Sequence, residues 1–240
     1  MKLRSLLIGI GIALVIYMIL PFRFLVRGIE GSGNVIKENR EVPAFHGIEA
    51  GSAFHINVVK GDKQSLVIET DDNIQEYIKV KVDDGVLEIE TKGNIRNPEK
   101  LNAYITMPEI DELDLSGACN LESNDRFESE KMDIDLSGAS RVNLKIRVGK
   151  LNLEQSGASK SNLSGYANNL EIDASGASHS YLEDLEVNNA EIDLSGASKV
   201  NVKVMEYLNG KCSGASHINY GGGVKKVDVS TSGASSVERI

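Results

Sequence analysis

Seven copies of a serine-containing turn are the first candidates for chemistry in this sequence, because serine can act as a nucleophile. The motif Ser-Gly-Ala-Ser starts at six positions, after one variant, Ser116-Gly117-Ala118-Cys119. The six starts are Ser137, Ser156, Ser175, Ser195, Ser213 and Ser232. A serine becomes nucleophilic when an adjacent base takes its proton. No histidine or lysine is placed to activate any particular one, so the repetition indicates a turn rather than a catalytic site.

Four histidines and two cysteines are the other groups that could bind a metal or react. His179 and His217 occupy the same place in the repeat but two copies apart, which predicts about 10 Å between them. One zinc ion, with ligands about 2 Å away, would not bridge that separation. The sequence also has no nucleotide-binding loop and no catalytic motif. We expect no catalytic residues, no metal and no cofactor; a glycan-acting enzyme is the less favoured alternative.

Charged residues recur at two fixed places around each turn. With the first serine as position zero, an acidic residue stands at minus two and a basic or titratable residue at plus four. The acidic column is Asp114, Asp135, Glu154, Asp173 and Asp193. The basic column is Arg141, Lys160, His179, Lys199 and His217. They are candidate ligand columns, for cations and for an anionic polymer respectively. The alternative is a solvated face with weak ion pairs that hinders aggregation.

The elements that position these columns follow from the period of the repeat. Successive motifs are 21, 19, 19, 20, 18 and 19 residues apart, and such a period is typical of a solenoid. Apolar residues alternate with polar ones before each turn, as at Ile192 and Leu194, and again after it, as at Val200 and Val202. The pattern predicts an all-β, right-handed parallel β-helix with coils of about 19–20 residues, each made of two or three short strands. A β-sandwich with similar hairpins is the alternative.

The positions of the two cysteines provide a test of the predicted β-helix. Cys119 replaces the serine at plus three, which we place near the turn surface, and Cys212 stands at minus one, an inward position. They belong to turns five rungs apart, which at about 4.8 Å per rung is roughly 24 Å. A disulfide needs Cα atoms within about 7 Å. We therefore expect no intramolecular disulfide.

The first half is less regular. Strands are expected through residues 45–110, with a hairpin turn at Asp83-Asp84-Gly85, a helical turn within Asn73–Tyr77 and a degenerate copy of the repeat turn at Glu49–Ala53. These features predict one domain over residues 31–240, with an irregular N-terminal β cap and regular coils from about residue 111.

Residues 1–30 form a separate unit. Lys2 and Arg4 precede an uncharged stretch over residues 5–22, which predicts one N-terminal hydrophobic helix. No small-residue cleavage site follows it, which favours an uncleaved membrane anchor over a cleaved signal peptide. The expected membrane contact runs through residues 5–26. The flanking charges do not fix its orientation.

Composition limits the partners. The net charge is −9, and because residues 1–30 hold four basic residues and one acidic residue, residues 31–240 carry −12. Such a domain repels nucleic acid, which we exclude as a partner. Little chain follows the last turn, so the terminal strand offers an open edge for self-association.

The segment Gly47–Val58, the run of Ser-Gly-Ala-Ser turns and Gly165–Ile172 together resemble the putative auto-transporter adhesin, head GIN domain family. The resemblance covers roughly residues 40–235. It implies a bacterial cell-envelope β-helix protein, membrane-anchored or exported to the periplasm or cell surface, and brings no catalytic residues. We expect a non-catalytic binding or structural module for an envelope protein or glycan. The alternatives are an envelope stress or signalling partner and a cytoplasmic, self-polymerising scaffold.

Overall fold

The computed structural model describes residues 28–240, and this part of the chain is almost entirely β-structure. Its one helical element is a 3-10 turn at Gln75–Tyr77, inside the segment where a helical turn is expected. The strands are β1 Ile29–Glu30, β2 Val35–Arg40, β3 Gly47–Ala50, β4 His55–Lys60, β5 Ser65–Asp71, β6 Ile78–Asp83, β7 Val86–Thr91, β8 Ile95–Arg96, β9 Leu101–Met107, β10 Glu112–Leu115, β11 Asn120–Leu136, β12 Arg141–Gln155, β13 Lys160–Ala174, β14 His179–Leu194, β15 Lys199–Cys212, β16 His217–Gly221, β17 Lys226–Thr231 and β18 Ser236–Arg239.

The predicted hydrophobic helix and the membrane contact through residues 5–26 lie outside the described residues. Between residues 28 and 240, no helix has the length and apolar character needed to cross a bilayer.

Strands β10 to β18 stack in parallel as an all-β solenoid. Arg141 of β12 pairs with Lys160 of β13, and Lys160 pairs with His179 of β14, so the register advances by one repeat per rung. Residues 28–240 form about seven turns with coils of about 19 residues, as the repeat predicts. The core is the inside of the coil, where aliphatic side chains from successive rungs pack on one another.

From Gly138 onward, the glycine of each turn stacks on the turn glycine of the preceding coil. A Cβ atom on Gly176, where φ is +71°, would lie 2.6 Å from the carbonyl oxygen of Gly157. Gly214 stands in the same relation to Gly196, at 2.5 Å. Both the left-handed backbone and the missing side chain are therefore required here.

The coils differ from the expected two or three short strands. Each of β11 to β15 is one continuous strand of 14–17 residues that bends around the core. Pairing with the neighbouring coils resumes beyond each bend, with register shifts in several coils, as between Glu122 and Arg126 of β11. In β12 the inward alternation runs to Val148 and resumes at Leu151, which places the corner at Gly149 and Lys150.

The residue at plus three points into the core, so the placement of Cys119 near the turn surface was wrong. Cys119 and Ser178 are both at most 1% exposed. The thiol of Cys119 donates to the carbonyl oxygen of Gly51 at 3.1 Å. The Ser198 hydroxyl donates to the carbonyl oxygen of Ser195 at 2.8 Å, inside its own turn. The next strand begins at the residue after the serine at plus three. The turn therefore ends with one small side chain that points inward.

Three rungs carry a buried polar cluster in place of aliphatic packing. Gln155 stands at minus one, where Leu136 and Leu194 occupy the equivalent positions. Its side-chain oxygen accepts hydrogen bonds from the hydroxyls of Ser161, at 3.2 Å, and Ser180. All three polar residues of this cluster are at most 3% exposed. Because each polar group has a partner, the cluster is compatible with the surrounding apolar core.

The irregular first half supplies rungs and closes the end of the solenoid. Strands β3 and β4 lie under β10 and β11, and the turn between them places Ser52 in the glycine column, with φ at +72°. The predicted degenerate turn is therefore a rung in register with the later ones. Strands β7 and β9 form the rung below. Antiparallel strands then cover this end: β6 pairs with β7 across the predicted Asp84-Gly85 turn, and β5 pairs with both β2 and β9.

Candidate functional site

The acidic column lies outward on the strand segments that enter each turn. The register pairs Asp114 with Asp135, Asp135 with Glu154, and Glu154 with Asp173. Asp193 follows Asp173 on the next coil. All five carboxylates predicted from the sequence thus stand on consecutive rungs, separated by about 4.8 Å.

Two further carboxylates extend this column into the first half, and a lysine closes it at each end. Asp114 pairs with Glu49, which pairs with Glu88. Beyond them, Lys81 forms an ion pair with Glu88 at 2.5 Å, and at the opposite end Lys211 lies 3.4 Å from Asp193. The result is seven carboxylates in line, bounded by two cations. Glu49 stands before the degenerate turn that was recognised in the sequence, whereas no motif marks Glu88.

A second outward column runs parallel to the first at minus four. Its members are Glu112, Asp133, Asn152, Glu171 and Glu191. The Asn152 amide donates to Asp133 at 2.6 Å, and Lys150 lies 2.8 Å from Glu171. Between the two columns runs a shallow groove of about 410 Å³, and we call this surface the acidic groove.

Electrostatics in the acidic groove oppose full ionisation. The pKa of Asp114 is raised, first by burial and then by the nearby charges of Asp135 and Glu112. The pKa of Glu49 is raised for the same reasons, with Glu88 and Asp114 as the main neighbouring charges. Such a groove attracts cations in general. Within residues 28–240, however, no three His, Cys, Asp or Glu side chains converge in a way that could hold one metal ion.

The basic column lies on the other side of each turn, on the segment that leaves it. Arg141, Lys160, His179, Lys199 and His217 stand on consecutive rungs. The two histidines are two rungs apart, as their spacing predicts. At plus six the outward residues are mostly amides, namely Asn143, Asn162, Tyr181, Asn201 and Asn219.

Strand β12 concentrates the positive charge of this surface. Its outward residues include Arg141, Lys145 and Arg147, all exposed, and Lys160 lies beside Arg141 on β13. Across the described part of the chain, none of these four cations has a carboxylate within ion-pair distance. We call the surface formed by the outward side chains of residues 141–147 on β12 and 160–166 on β13, together with Asn120 of β11 and Tyr181 of β14, the basic face.

Aromatic rings and amides accompany these cations. The guanidinium of Arg147 lies 5.3 Å from the centre of the Tyr166 ring. Tyr181 is 40% exposed and stacks against His179, with ring centres 6.3 Å apart. A groove of about 390 Å³ crosses the basic face, lined by Asn120, Arg141, Val142, Asn143, Lys160, Ser161, Asn162 and Tyr181.

Two polar clusters in the first half carry no sequence motif. Glu69 is nearly buried and accepts hydrogen bonds from Tyr104 at 2.8 Å, Asn102 at 2.9 Å and Lys100 at 3.1 Å. These bonds lower the pKa of Glu69 to about 2. In the loops before β3 and β10, His46 and Asp111 are 2.6 Å apart, and this hydrogen bond raises the pKa of His46. Among the described residues, no Ser, Thr or Cys side chain is hydrogen-bonded to this pair, and each cluster joins segments that are far apart in the sequence.

A family described as putative auto-transporter adhesin, head GIN domain, matches residues 44–224. The chain belongs to this family. The resemblance inferred from the turns is therefore confirmed, and the head GIN domain here extends from the loop before β3 past the end of β16. No curated protein matches the chain.

Solved structures share the fold of this head GIN domain. A putative adhesin from Bacteroides fragilis has a TM-score of 0.84 at 24% identity, over 89% of this chain and 100% of the other. A putative adhesin from Parabacteroides distasonis has a TM-score of 0.73 at 20% identity, over the same shares. A protein of that species named a putative lipid binding protein has a TM-score of 0.70 at 18% identity, again over the same shares. At these sequence identities, the structural similarity shows a common fold.

Proposed function

We propose that this protein is a non-catalytic binding module of the bacterial envelope, with an adhesin-like role. The observation that carries the proposal is the pair of outward columns, acidic and basic, which repeat along the solenoid on either side of the turn. A repeated surface suits an extended partner, because each rung offers one more equivalent contact. The family and the names of the similar structures support the same role.

Several features favour binding over catalysis. The turn hydroxyls at plus three are buried, as at Ser178 and Ser216, so they are not accessible to a substrate. Across residues 28–240, the His46–Asp111 pair has no nucleophile beside it.

The alternative of an envelope stress or signalling partner uses the same faces to bind a protein. We further propose that the coil is right-handed, as connections between parallel strands generally are.

Binding is tested by probing glycan and protein arrays with residues 28–240. We expect reproducible, saturable binding to a restricted group of glycans or envelope proteins. Protein ligands alone would favour the signalling alternative. Absence of any specific binding would contradict the proposed function, and turnover of an arrayed glycan would support the enzyme alternative.

Localisation in the envelope is a proposal that rests on residues 1–30. An alkaline phosphatase fusion at Ile240 should be active, because that enzyme folds only after export. We propose that the segment stays attached as an anchor, so the fusion protein should fractionate with the membrane. A silent phosphatase fusion with an active cytoplasmic reporter at the same position would contradict export and favour the cytoplasmic scaffold.

Self-association through the last rung is also a proposal. Strand β17 pairs only with β15, and β18 pairs only with β16, so both have a free edge in the described structure. Val227 is 39% exposed on this rung, and Ile240 is 70% exposed beyond it. A second copy of the chain would cover the edge by strand addition.

A further inference from the structure

We propose that the basic face binds an acidic glycan, a saccharide chain bearing carboxylates. This inference rests on the proposed function, because it names the ligand class of the binding module. It concerns the outward surface of two neighbouring coils, β12 and β13, rather than the full length of the basic column.

Unpaired charge is the first observation that supports this ligand. Most exposed lysines elsewhere on the coils have a carboxylate partner: Lys131 lies 2.6 Å from Asp133, and Lys225 lies 2.6 Å from Glu206. Residues 31–240 carry −12, so carboxylates are abundant. The cations of the basic face nevertheless have none within ion-pair distance in residues 28–240. An external anion would supply the missing ion-pair partner for these cations. An arginine such as Arg141 can hold a carboxylate through two parallel hydrogen bonds.

The groups between the cations suit a sugar. Asn120, Asn143 and Asn162 line the groove of the basic face, next to the exposed ring of Tyr181. Asparagine amides both donate and accept hydrogen bonds, as sugar hydroxyls do. A tyrosine ring supplies an apolar surface with a polar edge, on which a pyranose ring can stack. A phospholipid surface would instead favour a basic patch with apolar side chains that enter the bilayer. Val142 is the one aliphatic residue in the lining of this groove, and its side chain is buried.

Neighbouring carboxylates define the size of the site. Glu122 lies opposite Asn143 on β11, and Glu183 lies two residues beyond Tyr181 on β14. Both residues are exposed, and both would repel a polyanion that extended past them. The favourable surface therefore spans two coils, about 5 Å apart, which matches a short acidic segment of a glycan.

The experiment is calorimetric titration of the full chain, held in a non-ionic detergent, with tetragalacturonate and with neutral maltotetraose. The test variant is the double change Arg141→Gln with Lys160→Gln. The matched control is Lys63→Gln with Lys92→Gln, which removes two exposed cations that lie outside the face and have no ion-pair partner among the described residues. We expect the wild type and the control to bind the uronate, maltotetraose to bind at least tenfold more weakly, and the test variant to lose about tenfold or more in affinity. Binding should also weaken as salt is raised.

Several results would overturn the proposal. They are the absence of tetragalacturonate binding, equal affinity in the test variant and the control, and equal affinity for maltotetraose. In a second titration, phosphatidylglycerol is added to the detergent micelles. If this lipid displaced the uronate from the wild type more strongly than free uronate does, the basic face would be assigned to anionic lipid. Specific array ligands that bind the test variant normally would leave the proposed function standing and remove only this inference.

Discussion

The amide of Ala177 donates a 2.7 Å hydrogen bond to the carbonyl oxygen of Gly157, one coil below. The same bond links Ala158 to Gly138 and Ala215 to Gly196, each at 2.7 Å. The turns are therefore hydrogen-bonded to one another as the strands are, and no side chain fits between consecutive glycines.

Replacing a turn glycine should be costly, since the new Cβ atom would meet backbone that cannot move away. We expect Gly176→Ala and Gly176→Val to lower the free energy of unfolding by several kcal/mol, about 3 or more. Ser178→Ala should not lower it and should raise it by up to about 1 kcal/mol, because this buried hydroxyl has no hydrogen-bond partner within residues 28–240. Denaturant unfolding followed by circular dichroism measures both.

Gly33 is the control that separates backbone strain from the clash. It has φ at +81° but nothing within 4 Å of the position a Cβ would take. Gly33→Ala should therefore cost only the strain, about 1 kcal/mol. If Gly176→Ala cost no more than Gly33→Ala, the stacked-turn geometry would be wrong.

Asp114 should destabilise the protein at neutral pH. Its pKa is raised, so the ionised form is disfavoured by folding and the penalty applies above the folded pKa. Asp114→Asn should therefore stabilise by about 0.2–1 kcal/mol at pH 7, and the gain should disappear as the pH falls through the raised pKa. Melting curves from pH 3 to 8 measure this, with the exposed Asp62→Asn as control. A gain that persisted unchanged at pH 3 would contradict the explanation.

Glu69 should have the opposite pH dependence. Its pKa is lowered from 4.5 to about 2, so its contribution is complete above the ordinary value and is lost as the pH falls toward 2. Glu69→Gln should cost about 1.5–3 kcal/mol at pH 7, with a smaller cost near pH 2. Glu38→Gln is the control, because Glu38 is a partly exposed residue of the adjacent strand that forms an ion pair with Arg40. Equal costs for the two variants would contradict the importance of the buried network.

Cys119 and Cys212 should stay reduced within the monomer. Both are free and buried, and the register places five rungs between their turns. Burial also raises the pKa of the Cys119 thiol to about 11, so the reactive thiolate is scarce at neutral pH. Iodoacetamide should label Cys119 in the native protein far more slowly than in urea. A cross-linked peptide in the mass spectrum of oxidised monomer would contradict the stacked order of the coils.

The open edge of the last rung should support self-association. Sedimentation of the full chain in detergent at high concentration should show a species larger than the monomer, and Val227→Lys should reduce it by placing charge on the edge. Val59→Lys is the control, since Val59 is 55% exposed but lies on β4 near the opposite end. A strict monomer, or equal effects of the two variants, would rule out this edge.

The repeat made much of the fold predictable, because a period near 19 residues with period-two alternation leaves few architectures. It also predicted both charged columns, since members of a column share one place in the motif. The inward direction of Ser178 was not predictable in this way. The alternation stops at the turn, and the direction of a turn residue depends on backbone angles that the apolar pattern does not encode.

The features that were missed depend on pairings between unlike segments. Glu88 joins the acidic column through β7, and Glu69 meets Tyr104 through antiparallel pairing of β5 with β9. Neither relation follows from a shared motif. Arg147 and Tyr166, by contrast, share position plus ten of consecutive repeats, so the repeat itself places them side by side.

The stacked glycines also restrict how the length of this protein can change. Removing residues 157–175 would join Ser156 directly to Gly176 and leave an intact Ser-Gly-Ala-Ser turn. Insertions or deletions of whole coils keep every side chain on its own side, whereas differences of one or two residues between coils are absorbed as register shifts away from the turns. Each added or deleted coil therefore adds or removes one residue in each charged column, so evolution can change the number of contacts that the columns offer one coil at a time.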